Sequence, residues 1–257
     1  YCSGIRGRFE NDPRTNNRQQ RGSKMRRLKP FFTFFGGKWR IAKKYPIPKY
    51  DLIIEPFAGS AGYSLNHYDK KVELYDIDPK IFGIWDYLIK VKEKEILALP
   101  TELISTDLLQ IPQEAKWLIG FWLNKGTTSP SKSASRWMRD GLRPNSFWGE
   151  CIKERIGNQL KYIRHWKVFN IPYVDIGNKQ ATWFIDPPYH QSGKYYTFNN
   201  IDYAHLGEWC KERLGDQIVC EQKGATWLPF MDFVDAKGLE GKNGGKISKE
   251  VIYTGAY

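Results

Sequence analysis

The chain lacks any run approaching the roughly 18 apolar residues that a membrane helix needs, so no membrane span is expected. Its first residues carry no apolar signal region, which argues against secretion. Cysteine is scarce and scattered: Cys2, Cys151, Cys210 and Cys220 form no Cys-x-x-Cys pair. The four histidines (His67, His165, His190, His205) are just as dispersed. A disulfide framework and a structural zinc site are therefore both excluded as expectations, and thiols so placed suit a reducing cytosol. Acidic residues are in deficit. There are 28 Asp and Glu against 40 Lys and Arg, a net charge of +12. Such an excess favours polyanions, nucleic acid above all, and the plainer alternative is solubility alone.

What is present is ordinary in bulk. The 257 residues are 41% hydrophobic and 26% charged, enough for one domain with a small insertion. Ten tryptophans are many for this length. Exposed beside basic groups they would suit base stacking, whereas buried they would be core. Residues 1–24 have no apolar periodicity and set six basic residues against Glu10 and Asp12. A disordered basic tail is expected there, with a DNA-grasping arm as the functional alternative and Met25 as a candidate natural start.

Beyond residue 30 the pattern becomes regular. Short apolar runs at 51–57, 72–76, 181–186, 217–220 and 250–253 read as strands. Helical spacing marks 82–99, 113–123 and 147–166, the last with Trp148, Ile152, Ile156, Leu160 and Ile163 on one face behind Asn145 and Ser146 as caps. Asp202 is placed to cap a helix burying Leu206, Trp209, Cys210 and Leu214, with Gly215 as its stop. Strands alternating with helices predict an α/β fold with a mostly parallel sheet. Residues 124–149 break the rhythm as a long polar loop. Lys125, Lys132, Arg136, Arg139 and Arg143 stand there against Asp140 alone, with Trp137, Phe147 and Trp148 interleaved. This is a candidate DNA-contacting surface or an ordinary solvated loop.

The chemistry concentrates in Asp186-Pro187-Pro188-Tyr189, at the C-terminal end of a predicted buried strand, where α/β sheets place their ligands. Two prolines fix the backbone and remove two amide donors. Carbonyl oxygens and a carboxylate remain to accept hydrogen bonds from an amino group, and the tyrosine offers a flat face to a base. Upstream, Glu55-Pro-Phe57-Ala-Gly59-Ser-Ala61-Gly62 is a Gly-rich turn after a strand, in which Gly59 and Gly62 let backbone approach a ligand and Phe57 can pack on it. The second strand ends in Asp76-Ile-Asp78. An acid there can bind ribose hydroxyls or cap the next helix. A phosphate-binding reading of Gly36-Gly37-Lys38 fails, because Trp39 stands where Ser or Thr is needed.

Asp186-Pro-Pro-Tyr189 resembles the catalytic motif of amino methyltransferases that use S-adenosylmethionine. The segment 55–62 looks like that family's Phe-x-Gly-x-Gly loop, and Phe34-Phe-Gly-Gly37-Lys38 resembles the Trp-Ala-Gly-Gly-Lys opening of the Dam-type enzymes. In their order, the three motifs are similar to the Dam-like group of N6-adenine DNA methyltransferases, over residues 29–257. The resemblance implies a Rossmann-like methyltransferase sheet flanked by helices. It places a catalytic, cofactor-binding domain at 25–85 and 165–257, with a target-recognition insertion at 86–164. The implied cofactor is S-adenosylmethionine, with no metal, held by Phe34, Gly37, Lys38, Glu55, Phe57, Gly59, Gly62, Asp76 and Asp186. Asp76 is favoured over Asp78 for the ribose, and Lys38 falls near the methionine carboxylate. The implied partner is double-stranded DNA, the implied setting the cytoplasm of a bacterial or phage-infected cell, and the implied state a monomer or weak dimer.

A base flipped from the duplex would stack on Tyr189 and donate its amino hydrogens to Asp186 and the Pro187 carbonyl. His190 would serve as a proton shuttle or be a plain loop histidine; Tyr195, Tyr196 and Phe198 would line the base pocket or merely pack. The chain departs from the family at Ala61, in place of a loop glycine, and at Pro172, in place of the acid that contacts the cofactor adenine. Asp175 lies out of register with that acid. Cytosine N4 methylation, RNA adenine methylation and a non-catalytic DNA-binding module remain as alternatives. Cytosine C5 chemistry is excluded, since no Pro-Cys dipeptide occurs.

Overall fold

The computed structural model describes residues 27–141, 145–191, 193–237 and 247–256. The basic tail 1–24, Met25 and Arg143 lie outside the described residues. Seven strands form one sheet: β1 (Leu52–Glu55), β2 (Lys71–Tyr75), β3 (Lys167–Phe169), β4 (Ala181–Ile185), β5 (Gly215–Gln222), β6 (Met231–Lys237) and β7 (Ile247–Ala256). Their order is β3-β2-β1-β4-β5-β7-β6. Neighbours from β3 through β5 pair in parallel, and β7 runs antiparallel to both β5 and β6. The mostly parallel α/β expectation holds, and the arrangement is compatible with a Rossmann-like fold.

Period-2 alternation distributes the strand side chains between two apolar layers. Ile53, Val72, Leu74, Phe184 and Ile218 enter one core, while Ile54, Tyr75, Trp183, Ile185 and Val219 enter the other. A parallel sheet covered on both faces reads as continuous apolar runs, which is why β4 is buried at every residue. The larger core is covered by α1 (Pro79–Lys90), α2 (Glu93–Leu97), α3 (Gln113–Leu123) and α5 (Glu150–Gln159). Leu206, Trp209 and Cys210 of α6 (Tyr203–Lys211) cover the smaller one. The buried residues of segment 86–164 thus share a core with the sheet.

Local chemistry sets the helix ends. Asp78 caps α1, its Oδ1 accepting from Lys80 N at 2.9 Å, with proline at the first helical position. Asp202 caps α6 as expected, accepting from His205 N at 3.0 Å. The single helix expected over 82–99 is two, because Val91 is extended and the Arg164 guanidinium takes the carbonyls of Leu88, Ile89 and Val91. The helix expected from 147 begins at Glu150 with Gly149 as its cap, so Asn145 and Ser146 do not cap it. It also ends early, at Gln159, followed by a 3-10 turn at Leu160–Tyr162, but the apolar stripe expected over 147–166 is buried throughout, Trp148, Ile152, Ile156, Leu160 and Ile163 alike. Gly215 does not stop α6, which ends at Lys211; it opens β5 instead, and Leu214 between them is exposed. The polar loop 124–149 contains a short helix, α4 (Arg136–Arg139), whose cap is Ser135. Strands β3 and β6 carry no sequence signature: β3 has three residues, and β6 is an irregular edge with a register shift between Asp232 and Val234. No helix among the described residues is long and apolar enough to cross a membrane.

Candidate active site

The chain runs outward from β1 through β2 to β3 and then returns to β4 on the other side of β1. That reversal opens a crevice beyond the C-terminal ends of β1 and β4. A cleft of about 350 Å³ lies there. Among the residues lining it are Phe34, Gly37, Lys38, Glu55, Phe57, Gly59, Gly62, Asp76, Asp186 and Pro188. Residues singled out in the Gly-Gly-Lys segment, the Gly-rich loop, the β2 end and the Asp-Pro-Pro-Tyr segment therefore meet around one space. Pro187 is buried beside it, and Tyr189 is half-buried with its ring 4.7 Å from the Lys38 ammonium.

Each wall has a physical cause. At the end of β2, the Asp76 carboxylate accepts from Gly59 N at 3.0 Å and from Asp78 N at 2.9 Å. It thereby ties the Gly-rich loop to the second strand, while Asp78 is the helix cap. The loop packs directly on the Lys38 segment: a Cβ at Gly62 would stand 2.6 Å from Trp39 N and 3.0 Å from Lys38 N. Glycine is required there by backbone approach. Ala61, the departure from the family pattern, nevertheless adopts the left-handed conformation with φ +49 while fully buried. An alanine in that region costs about 1–2 kcal/mol. At the mouth, Tyr196 donates to Phe35 O at 3.2 Å, and Phe35 packs between Tyr195 and Tyr196. Pro172 and Tyr173 also line the cleft, with Tyr173 5.5 Å from Phe57; Asp175 is exposed and lies off it.

The electrostatics centre on Lys38, which is 5% exposed. Its Nζ lies 2.9 Å from Asp186 Oδ1 and 3.8 Å from Glu250 Oε1, and it donates to Gly36 O at 2.9 Å. Burial alone would lower its pKa, but the carboxylates of Asp186 and Glu250 hold it well above that of an ordinary lysine. Burial raises Asp186 to about 6, opposed by Lys38 and assisted by Glu250. Asp76 rises to about 7 through burial, opposed by the amides of Asp78 and Gly59. Glu55, which accepts from Ser64 N at 2.8 Å, is pushed by burial to about 8.

These shifts fix the sign of a pH effect. Each carboxyl holds its proton more tightly folded than unfolded, so its contribution is full below about pH 4 and is lost as pH rises through about 6, 7 and 8. Thermal unfolding of the ligand-free protein is expected to lose stability from pH 5 to pH 8.5, and Glu55→Gln to flatten the upper part of that decline. Stability that rises across this window would contradict the burial assigned to these groups.

Several residues that hold the site were not anticipated. Glu221 accepts from His190 N at 3.1 Å and from Trp227 Nε1 at 3.0 Å, and Tyr203 donates to Pro188 O at 2.5 Å, which together anchor the Asp-Pro-Pro-Tyr segment. Tyr45 donates to Glu250 Oε2 at 2.8 Å. A glutamate within an apolar strand pattern was the available signal for both Glu221 and Glu250, since buried acids are rare unless paired.

The basic loop begins at the mouth, where Thr128 lines the cleft and donates to Tyr195 O at 2.8 Å. Lys125 lies 5.8 Å from the Trp122 ring and 5.6 Å from that of Phe147. Lys132 and Arg136 pair with Asp107 and Asp140 while remaining largely exposed, and Arg139 donates to Ala134 O at 2.5 Å. Trp137 is 57% exposed beside them, whereas Trp148 is buried in the core. No group of three or more His, Cys, Asp or Glu that could hold a metal ion occurs among the described residues.

No protein-family model matches this chain, and no curated protein matches it. Among solved structures, one described as a conserved hypothetical protein of Streptococcus pyogenes is similar at 12% identity and a TM-score of 0.32, covering 79% of this chain and 84% of that one.

Proposed function

We propose that this protein is an S-adenosylmethionine-dependent methyltransferase of the Dam-like type, which methylates the exocyclic N6 amine of adenine in double-stranded DNA. One observation carries the reading: Asp186-Pro-Pro-Tyr189 leaves the end of β4 at the same switch-point cleft that is lined by the Gly-rich loop Asp76 holds. The cleft fits the cofactor in chemistry. A carboxylate at the β2 end suits ribose hydroxyls. The glycine-lined turn admits close contact, and Phe57, Tyr173 and Ile77 give an apolar wall for a purine. Phe34, Gly37, Lys38, Glu55, Gly59 and Gly62 complete its surround. When bound, S-adenosylmethionine supplies an electrophilic methyl group on a sulfonium.

The chain's own groups would do the rest. The Asp186 carboxylate and the Pro187 carbonyl accept the amine's hydrogens and turn its lone pair outward, so positioning supplies much of the acceleration. Tyr189, half-buried next to the two prolines, would stack on the flipped base. Lys125, Lys132, Arg136 and Arg139, with Arg143, would meet phosphates. That the protein works in the cytoplasm, as a monomer or weak dimer, is part of the same proposal.

Transfer of labelled methyl to mixed-sequence duplex DNA, followed by digestion to nucleosides, tests the reading. Label in N6-methyladenine is the expected result. Label in N4-methylcytosine would change the base and keep the mechanism, label in RNA alone would change the polymer, and an absence of cofactor binding would favour a DNA-binding module. Alanine at Lys132, Arg136 and Arg139 together is expected to lower the slope of log affinity against log salt by about 3. An unchanged slope in filter binding would return this loop to ordinary solvated surface.

A further inference from the structure

We propose that Glu250 is a positioning residue for Asp186: it shares the Lys38 ammonium, and so leaves the Asp186 carboxylate able to take up the proton that an amine loses once methylated. This deepens the methyl-transfer reading and rests on it. In that reaction the N–CH₃ bond forms as the S–CH₃ bond breaks, and the bonding pair stays on sulfur. The nitrogen is left cationic with one proton too many. That proton passes to Asp186, giving a neutral methylamine and a carboxylic acid, which returns the proton to water.

An aspartate paired with a lysine of its own is a poor proton acceptor, because the ammonium already neutralises it. Here the ammonium is divided. Lys38 Nζ stands 2.9 Å from Asp186 Oδ1 and 3.8 Å from Glu250 Oε1, and Tyr45 holds the other Glu250 oxygen at 2.8 Å. Lys38, Tyr45 and Glu250 are all at least nine-tenths buried, so solvent screens the arrangement little. Two carboxylates against one ammonium leave a net charge of −1, which one added proton cancels. Glu250 also sits in β7 next to buried Val251 and Ile252, where an apolar residue would cost less. Its presence calls for a role beyond packing.

The other groups facing Asp186 do not supply this asymmetry. Glu221 on β5 acts in the same direction as Glu250, but its oxygens are engaged by His190 N, Gln222 N and Trp227. Glu55 on β1 is largely protonated near neutrality, with its pKa at about 8. The Cys220 thiol and the phenols of Tyr45, Tyr189 and Tyr196 are pushed upward by burial and stay neutral.

The test is a ¹³C NMR titration of the full chain carrying carboxyl-labelled aspartate, with the Asp186 resonance assigned by its loss in Asp186→Ala. The wild-type midpoint is expected near pH 6. Glu250→Gln is expected to lower it by about one pH unit, and Glu250→Asp to restore it. Tyr45→Phe is expected to raise it, because a Glu250 deprived of its phenol draws harder on Lys38. A purely structural Glu250 would lower the melting temperature and leave the midpoint in place. An unmoved midpoint in both Glu250→Gln and Tyr45→Phe overturns the proposal, even where labelled methyl is transferred normally. A moved midpoint with methyl transfer whose acid limb follows it supports the proposal. A moved midpoint with no transfer by the wild type overturns the methyl-transfer reading and the proton-acceptor role with it, leaving a shared ammonium.

Discussion

Asp186→Ala is expected to lower methyl transfer by about a thousandfold, within the range that a positioned proton acceptor contributes. On the proposed mechanism the loss belongs to the chemical step. Asp186 lines the cleft with its side chain 19% exposed, so an amine placed there reaches it. The substitution leaves β4 and the prolines intact, and Lys38 keeps Glu250 and the Gly36 carbonyl as partners, so no buried ammonium is stranded. Single-turnover transfer and cofactor titration on the same variant separate the effects: transfer collapses while the cofactor dissociation constant moves by less than about tenfold. Turnover within tenfold of wild type would remove Asp186 from the mechanism.

Asp76→Ala is expected to weaken cofactor binding about a hundredfold, the scale of losing hydrogen bonds to a charged acceptor. The carboxylate has two tasks here. It ties Gly59 N and Asp78 N, fixing the loop against β2, and it faces the space into which a ribose would project. Asp76→Asn retains one acceptor oxygen and should lose less. Because burial raises this carboxyl to about 7, affinity should also fall as pH drops below neutrality, where the carboxylate gains its proton. Calorimetric titration checks both statements. A dissociation constant within twofold of wild type in Asp76→Ala would show that the loop holds its shape, and its ligand, without this tie.

Much of the fold was legible because its signals are local. The apolar runs in β1, β4 and β5 are unbroken, as suits strands covered on both faces, those in β2 and β7 are short but still apolar enough to show, and the stripe from Trp148 to Ile163 follows helical spacing. What was not legible depended on partners remote in sequence. The break at Val91 depends on Arg164, 73 residues away, and β6 has no pattern of its own because it is an edge. In the site, the Asp-Pro-Pro-Tyr and Gly-rich segments declare themselves by composition. The environment of Lys38 does not, since its partners come from the β4 end and from β7, and only threading the sheet brings them to one point. Ala61 shows the limit of motif reading: the loop keeps its left-handed turn without the glycine that usually permits it.

The placement of β7 has a consequence for the order of assembly. β6 precedes β7 in the chain, yet β7 is its sole neighbour in the sheet among the described strands. Until β7 slides between them, β6 has nothing to pair with and the outer edge of β5 stands open, a state prone to pairing with other chains. The same insertion brings Glu250 to Lys38, a contact spanning more than two hundred residues. Closing so long a loop is slow in any chain. The β5–β7 and β6–β7 pairings are local by comparison, so it is the buried charge cluster that waits on the longest closure, and a molecule caught before β7 is in place has an unfinished site as well as an adhesive edge.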